Sequence, residues 1–344
     1  MKRIVLVGGG SGGHFYPLIA VAERLNQYKN QGVDLELFYF GPDTYNTEDL
    51  QKNGIGFISC PSGKKRKYFS FLNFLDFFRM IYGIFVAIWK LYLVYPDVIF
   101  SKGSYTSVPV TLAGFLLRIP IVIHESDTHP GSANKLAAHF ARYIAISFDE
   151  VARYFPKNKV AMTGIPLRTE FVVPIENARE KIALPQDKPL LFVTGGSLGA
   201  ERLNSLILES LDELLPQFVV FHQTGQLNLE QVKNSAASLI ADTSLLEHYF
   251  VKGSLSAQEM NLAMTAATLI ISRAGTGSIY EIACKGKPSI LIPIPEAVSN
   301  GYVSGLSDGI NQVAAAPDAN KLMPNPASDI TNVALNLKTE SDLT

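Results

Sequence analysis

Cysteine is nearly missing from this chain: Cys60 and Cys284 are the only two in 344 residues. Two cysteines so far apart make neither a disulfide framework nor a zinc site, and reduced thiols in a cytosolic setting are the expectation. An excess of charge of either sign is missing too. Lys and Arg number 30 against 31 Asp and Glu, a formal net charge of −1, so general nucleic-acid binding is not expected. Charged residues are scarce at 18% and apolar ones make up 47%, which excludes global disorder and leaves enough for a large core. A secretory leader is not expected: MKRIVLVGGGSGG breaks at glycines and lacks the apolar stretch and cleavage site of a signal peptide. Neither DxD nor HExxH occurs, so neither a metal nor a cofactor is expected.

What is plentiful is glycine, 26 residues, much of it placed directly after β-branched runs. Ile4 to Val7 reads as a strand buried on both faces, followed by GGGSGGHFYP and helical spacing over Pro17 to Leu25. Leu35–Phe40, Val98–Phe100 and Ile121–Ile123 read as further strands, with helical patterns over Thr106–Leu117 and Ala133–Phe140. The pattern restarts at Leu190–Val193 with TGGSLGAERLN, then Val219–His222, Leu269–Ser272 and Ile290–Ile292. Strands alternating with helices predict doubly wound parallel sheets, and the restart predicts two similar α/β domains. Proline-containing 163–188 reads as the linker, and 329–337 as a weak helix before a frayed tail.

Several turns are built to meet anions. Gly8, Gly10 and Gly13 match GxGxxG, a dinucleotide signature that is weak alone. The acidic partner such a site needs is late, at Asp43, so a nicotinamide enzyme is not supported. His14 follows the turn. It is either a helix-start histidine or a general base, and a helix dipole would keep it neutral and able to accept a proton. GGSLGA carries Ser197 and backbone N–H groups suited to phosphate oxygens. In SRAGTGSIYE, Thr276, Gly277 and Ser278 form another such turn, and Glu281 lies about one helical turn on, where a carboxylate can accept from ribose hydroxyls. Arg168 in TGIPLR is a candidate for a diphosphate. Each has a plain alternative: a tight turn, a dipole-complementing carboxylate, a surface arginine. Together they suit transfer of a group from a nucleotide diphosphate.

The segment from Lys64, Lys65, Arg66 and Lys67 through Tyr68–Tyr95 is rich in aromatics. Asp76, Arg79 and Lys90 interrupt it, so spanning a membrane is not expected. It reads either as a buried helix or as an interfacial surface, with Phe74, Phe77 and Phe78 entering the headgroup region and the basic residues meeting anionic lipid.

In order along residues 4 to about 295, GGGSGGHFYP, SKGSYTSVP (Ser101–Pro109), HESDTHPGSANK (His124–Lys135), TGIPLR, GGSLGAERLN and SRAGTGSIYEIACKGKPSILIPIP resemble the MurG family. These are the UDP-N-acetylglucosamine:lipid I N-acetylglucosaminyltransferases of peptidoglycan synthesis. The resemblance implies an α/β GT-B fold, two Rossmann-like doubly wound domains facing a central cleft. An acceptor- and membrane-facing domain would span 1–162, a linker 163–188, a UDP-sugar-binding domain 189–325, and a helix and tail 326–344. It implies an inverting hexosyltransferase, with no cofactor, at the cytoplasmic face of the cell membrane as a peripheral protein. GlcNAc would pass from UDP-GlcNAc to the C4 hydroxyl of the muramyl sugar of the undecaprenyl-diphosphate-linked acceptor. By motif position, His14 would be the catalytic base, and Ser11, Gly12 and Gly13 would belong to the substrate turn. Asp127 would contact the donor sugar, Arg168 and Ser197 the diphosphate, and Val251 the uracil through its backbone. Thr276, Gly277, Ser278, Ile279, Tyr280 and Glu281 would hold diphosphate and ribose.

Two stretches depart from the family. HESD stands where the family has HEQN, and Gly301, Tyr302 and Gly305 stand where it has the His, Gln and Asn of DHQxxNA. Tyr302 would replace the glutamine that meets the donor sugar. The alternatives are therefore a related transferase for another UDP-sugar or lipid acceptor, or a non-catalytic nucleotide-binding homologue.

Overall fold

A computed structural model describes residues 1–63, 72–196, 200–292 and 313–314. The expectations placed on Lys64, Lys65, Arg66, Lys67, Ser197, Gly301, Tyr302, Gly305 and the helix near 329–337 concern residues outside that set. The chain divides into two units, Met1–Thr169 and the residues from Glu170 onward.

The first unit is built on seven strands: β1 (Lys2–Val7), β2 (Leu35–Gly41), β3 (Ile55–Ser59), β4 (Val98–Ser101), β5 (Ile121–Glu125), β6 (Tyr143–Ile146) and β7 (Val160–Met162). They pair in parallel in the order β3-β2-β1-β4-β5-β6-β7. The helices are α1 (Gly12–Asn30), α2 (Thr47–Lys52), α3 (Leu72–Val94), α4 (Val108–Leu116) and α5 (Ser132–Ala138). One cluster, around Leu6, Phe15, Leu18 and Leu37, packs α1 on the sheet. Another, around Val5, Leu91, Ile99 and Ile123, involves α3 and α4. With both faces covered, β1 and β5 contain the continuous apolar runs Ile4–Val7 and Ile121–Ile123 rather than alternating ones. α1 starts earlier than the apolar spacing predicts, because its first turn is made by Gly12 and Gly13 themselves, and it runs through Pro17.

α3 is the crossover between β3 and β4. Gly83, Ala87 and Leu91, four residues apart, face inward. A Cβ on Gly83 would collide with the carbonyl oxygen of Pro61, so this glycine lets the helix lie against backbone. Glycine-to-alanine in an ordinary helix interior gains about 1 kcal/mol. Gly83→Ala is expected instead to lose roughly 1–3 kcal/mol by overpacking. A urea midpoint at or above wild type would mean that the Pro61 segment gives way freely.

The second unit holds β8 (Leu190–Thr194), β9 (Val219–Gln223), β10 (Tyr249–Lys252), β11 (Leu269–Arg273), β12 (Ser289–Ile292) and β13 (Val313–Ala314). Their order is β10-β9-β8-β11-β12-β13, parallel except for the β12–β13 pair. The chain enters it through short α6 (Thr169–Val172) and α7 (Ala178–Lys181). Then follow α8 (Glu201–Glu209), α9 (Leu211–Leu214), α10 (Leu229–Leu239), α11 (Ala257–Ala266) and α12 (Thr276–Cys284). α11 opens with a capping box in which Ser256 and Glu259 satisfy each other's backbone N–H groups.

His222 of β9 is fully buried. It lies 2.9 Å from the Tyr249 hydroxyl at Nδ1 and 3.1 Å from Asn204 Oδ1 at Nε2. Since Asn204 Oδ1 can only accept, Nε2 carries the proton and Nδ1 accepts from Tyr249, so the neutral ring is fully satisfied. Burial holds its pKa down at about 4, below the ordinary 6.5. Between those values the unfolded chain binds a proton that the folded chain refuses. The stabilisation is thus complete above about 6.5 and is lost as pH falls through about 4. The loss should be roughly 3 kcal/mol. His222→Gln should flatten the pH 7-to-4 stability profile by about that amount in urea titrations; an unchanged profile would remove His222 as the cause.

Candidate active site

In the first unit the strand order reverses between β1 and β4, and a crevice outside the carboxyl ends of the strands is the expected binding place. The glycine turn after β1 and the SKGSYT turn after β4 meet there. The Lys102 N–H donates to the Val7 carbonyl at 2.9 Å, and Tyr39 donates to the Gly8 carbonyl at 2.8 Å. The glycines are dictated by this crowding. A Cβ on Gly9 would stand 2.6 Å from the Tyr39 hydroxyl. Gly10 has φ +78°, and its Cβ would be 2.9 Å from the Tyr105 ring. Ser11 is the N-cap of α1, with its side chain making no cap hydrogen bond. Ser11 and Gly12 are half-buried and Gly13 is exposed. This is the open start of a 19-residue helix, where backbone N–H groups and the dipole favour an anion.

His14 sits in the first turn of α1, half-buried, with Nδ1 3.2 Å from the Lys102 carbonyl oxygen. A carbonyl only accepts, so Nδ1 bears the proton and the lone pair of the neutral ring is at Nε2. Its pKa is lowered, as expected. Burial is the largest contribution and the nearby Lys102 ammonium the next, with the Lys102 carbonyl and Asp127 pulling the other way.

β5 ends in His124 and Glu125, both buried. One Glu125 oxygen accepts the Asp127 N–H at 3.1 Å, and the other accepts the Gly131 N–H and Asn134 Nδ2, each at 3.0 Å. A single carboxylate thus shapes the loop from Ser126 to Gly131 and places half-buried Asp127 close enough to act electrostatically on His14 and Lys102. Lys102 itself is 1% exposed and donates from Nζ to Ser126 Oγ at 2.9 Å. Arg168 also falls in the first unit. It is 8% exposed and its guanidinium stacks 4.5 Å from the centre of the Tyr16 ring on α1, a cation–π arrangement rather than the surface position of an ordinary arginine.

The second unit repeats the plan, with its order reversing between β8 and β11. After β8, Thr194 donates to Gln223 Oε1 at 2.6 Å and accepts the Gly196 N–H at 3.1 Å, fixing the turn that leads to Ser197. After β11, Gly275 caps α12 without a side-chain hydrogen bond. Thr276, Gly277, Ser278, Ile279 and Glu281 are half-buried around its first turns, whereas the Tyr280 side chain, 2% exposed, belongs to the core. Val251 is half-buried on β10, which among the described residues is an edge strand paired with β9 alone.

Lys102, Glu125 and Asn134 are site residues that the sequence motifs do not single out. Their signal was present in SKGSYT and HESDTHPGSAN: a lysine and a glutamate at the ends of buried strands are costly unless partnered.

Two parallel-sheet units, each with a glycine turn and an open helix start at its switch point, define the GT-B class of glycosyltransferase. Residues 4–146 match the glycosyltransferase family 28 N-terminal domain and residues 190–302 its C-terminal domain. The chain is 35% identical over 314 residues to a UDP-N-acetylglucosamine–N-acetylmuramyl-(pentapeptide) pyrophosphoryl-undecaprenol N-acetylglucosamine transferase of Treponema denticola, covering 88% of this chain and 79% of the relative. It is 37% identical over 306 residues to the corresponding transferase 2 of Bacillus cereus, covering 88% and 82%. The crystal structure of Acinetobacter baumannii MurG shares the fold, with a TM-score of 0.65 at 23% identity over 98% of this chain and 95% of that one. A UDP-GlcNAc 2-epimerase of Neisseria meningitidis does so at a TM-score of 0.65 and 15% identity, over 97% and 94%. The chain belongs to glycosyltransferase family 28 and, within it, to the MurG family.

Proposed function

We propose that this protein transfers N-acetylglucosamine from UDP-GlcNAc to the C4 hydroxyl of the muramyl sugar on an undecaprenyl-diphosphate-linked peptide acceptor, with inversion. The carrying observation is His14, whose Nδ1 proton is engaged by a backbone carbonyl so that Nε2 is the free acceptor at the switch point. His14 takes the proton of the attacking hydroxyl as that oxygen bonds to C1 of the donor sugar. The sugar–phosphate bond breaks and UDP leaves. The start of α1, with Ser11, Gly12 and Gly13, suits the acceptor's diphosphate. Thr276, Gly277, Ser278, Ile279 and Glu281, with Ser197 and the Val251 backbone, suit UDP, and Asp127 the donor sugar; the buried Tyr280 side chain supports the turn from the core instead. Arg168 supplies positive charge for a diphosphate, its guanidinium oriented by Tyr16.

The acceptor's lipid carrier points to work at a membrane surface, on the family resemblance its cytoplasmic face, and α3 supports membrane contact. Asp76–Val94 is long and apolar enough to cross a bilayer by length and composition. It is nonetheless the β3–β4 crossover, with its Gly83–Ala87–Leu91 face packed inward, so it offers a membrane only its other side. That side carries Phe74, Phe78, Phe85, Trp89 and Tyr92, each more than half exposed, with Phe77 beside them. Their spacing is helical and their character is that of an interfacial helix. The bland alternative, a helix wholly buried in the domain, is thereby disfavoured. Lys64, Lys65, Arg66 and Lys67 precede α3 in sequence and supply charge for anionic lipid.

The test is UDP release with a lipid-linked muramyl-pentapeptide acceptor and a panel of UDP-sugars. UDP-GlcNAc is expected to be turned over fastest. Preference for another donor would favour the second reading, which Ser126, Asp127 and Tyr302 motivate by departing from the family pattern.

A further inference from the structure

We propose that Lys102 is a positioning residue for this transfer: its backbone carbonyl accepts the Nδ1–H of His14, and its buried ammonium, bonded to Ser126, sets the charge around that ring. The inference rests on His14 being the base.

Lys102 follows β4 directly, and its backbone is pinned to the end of β1 through the Val7 carbonyl. Its side chain runs beneath the glycine turn, with its Cβ 2.9 Å from where a Gly8 Cβ would be. The ammonium is buried and bonded to Ser126 Oγ at 2.9 Å. An apolar side chain would fill the same space without the desolvation cost of a buried cation. A charge retained there, among polar groups at a switch point, has the marks of a functional electrostatic device. The same residue acts on His14 twice. Through its backbone it sets the tautomer. Through its charge it opposes the imidazolium. Among the described residues the charged groups that act on His14 are Lys102 after β4 and Asp127 after β5, and they pull in opposite directions. Glu125 and Asp127 in turn favour the charged form of Lys102 against the burial that disfavours it. Removing the lysine charge takes away one of the two influences that hold the imidazolium off, burial being the other, so the pull of Asp127 is less opposed and His14 keeps its proton to higher pH.

The experiment compares wild type, Lys102→Met, Lys102→Gln and Lys102→Arg in the full chain. Met fills the space without charge, Gln can retain the Ser126 bond, and Arg retains the charge. Two quantities are read. One is the NMR titration of the His14 ring without substrate, assigned by its loss in His14→Ala. The other is UDP release between about pH 6 and pH 8. In the Met and Gln variants the His14 midpoint is expected to move to higher pH. The acid limb of UDP release should shift to higher pH in the same direction. Lys102→Arg should keep the wild-type midpoint. An unmoved midpoint in the folded neutral variants overturns the role of Lys102, whatever the activity. A moved midpoint in a chain that transfers no sugar leaves the hold of Lys102 on His14 standing and overturns the functional reading instead.

Discussion

His14→Ala is expected to lower UDP release with UDP-GlcNAc and a lipid-linked acceptor by about 10²–10⁴-fold, the range in which a positioned general base contributes. UDP binding should be retained, since the turns assigned to the nucleotide lie in the second unit, after β8 and β11. The prediction depends on geometry more than on residue type. Of the six histidines, His124 and His222 are equally well defined, yet both are buried and held neutral at about 3 and about 4. His222 has both nitrogens bonded within the folded chain, and His124 bonds through Nε2 while its Nδ1 is buried without a partner. His14 has one nitrogen engaged by the Lys102 carbonyl and its other at the open start of α1. A variant whose turnover stays within about twofold of wild type would remove the base role.

The second large effect concerns the membrane. Replacing Phe78, Phe85, Trp89 and Tyr92 together by Ser should reduce partitioning onto anionic phospholipid vesicles by about 100-fold or more, given roughly 25 cal/mol per Å² of apolar surface immersed. The fold should survive, because these side chains are exposed and the packed face of α3 is left untouched. Sedimentation with vesicles measures the binding, and UDP release with a water-soluble acceptor analogue measures the enzyme. Unchanged sedimentation would remove α3 as the lipid-facing element. Loss of both binding and soluble-substrate turnover would point to structural damage instead.

Much of the architecture is legible in the residues. The runs IVLV, LELFYF, LLFV and LIIS are strands because β-branched and apolar residues suit a sheet buried on both faces. The glycine turns after β1 and β8 are where those runs break. The missed strands are instructive. Ile55–Ser59 carries a glycine, Tyr143–Ile146 and Val160–Met162 are four and three residues long, and Tyr249–Lys252 is an edge strand with mixed burial. Short strands and edge strands bury too little to show an apolar run, and their identity comes from the neighbours they pair with.

The sequence by itself determined the paired α/β plan, the anion-seeking turns and the position of His14 after the first of them. Each of these is local, set by a run of residues and the glycines that end it. Only the tertiary structure decided what His14 faces. Lys102 lies 88 residues away, and Ser126 and Asp127 later still. They meet because a doubly wound sheet sets the ends of β1, β4 and β5 side by side. It also decided that Arg168 stacks on Tyr16 and that the aromatic side of α3 faces outward. Periodicity marks a helix as having two sides, but which side meets the core depends on what the rest of the chain brings against it.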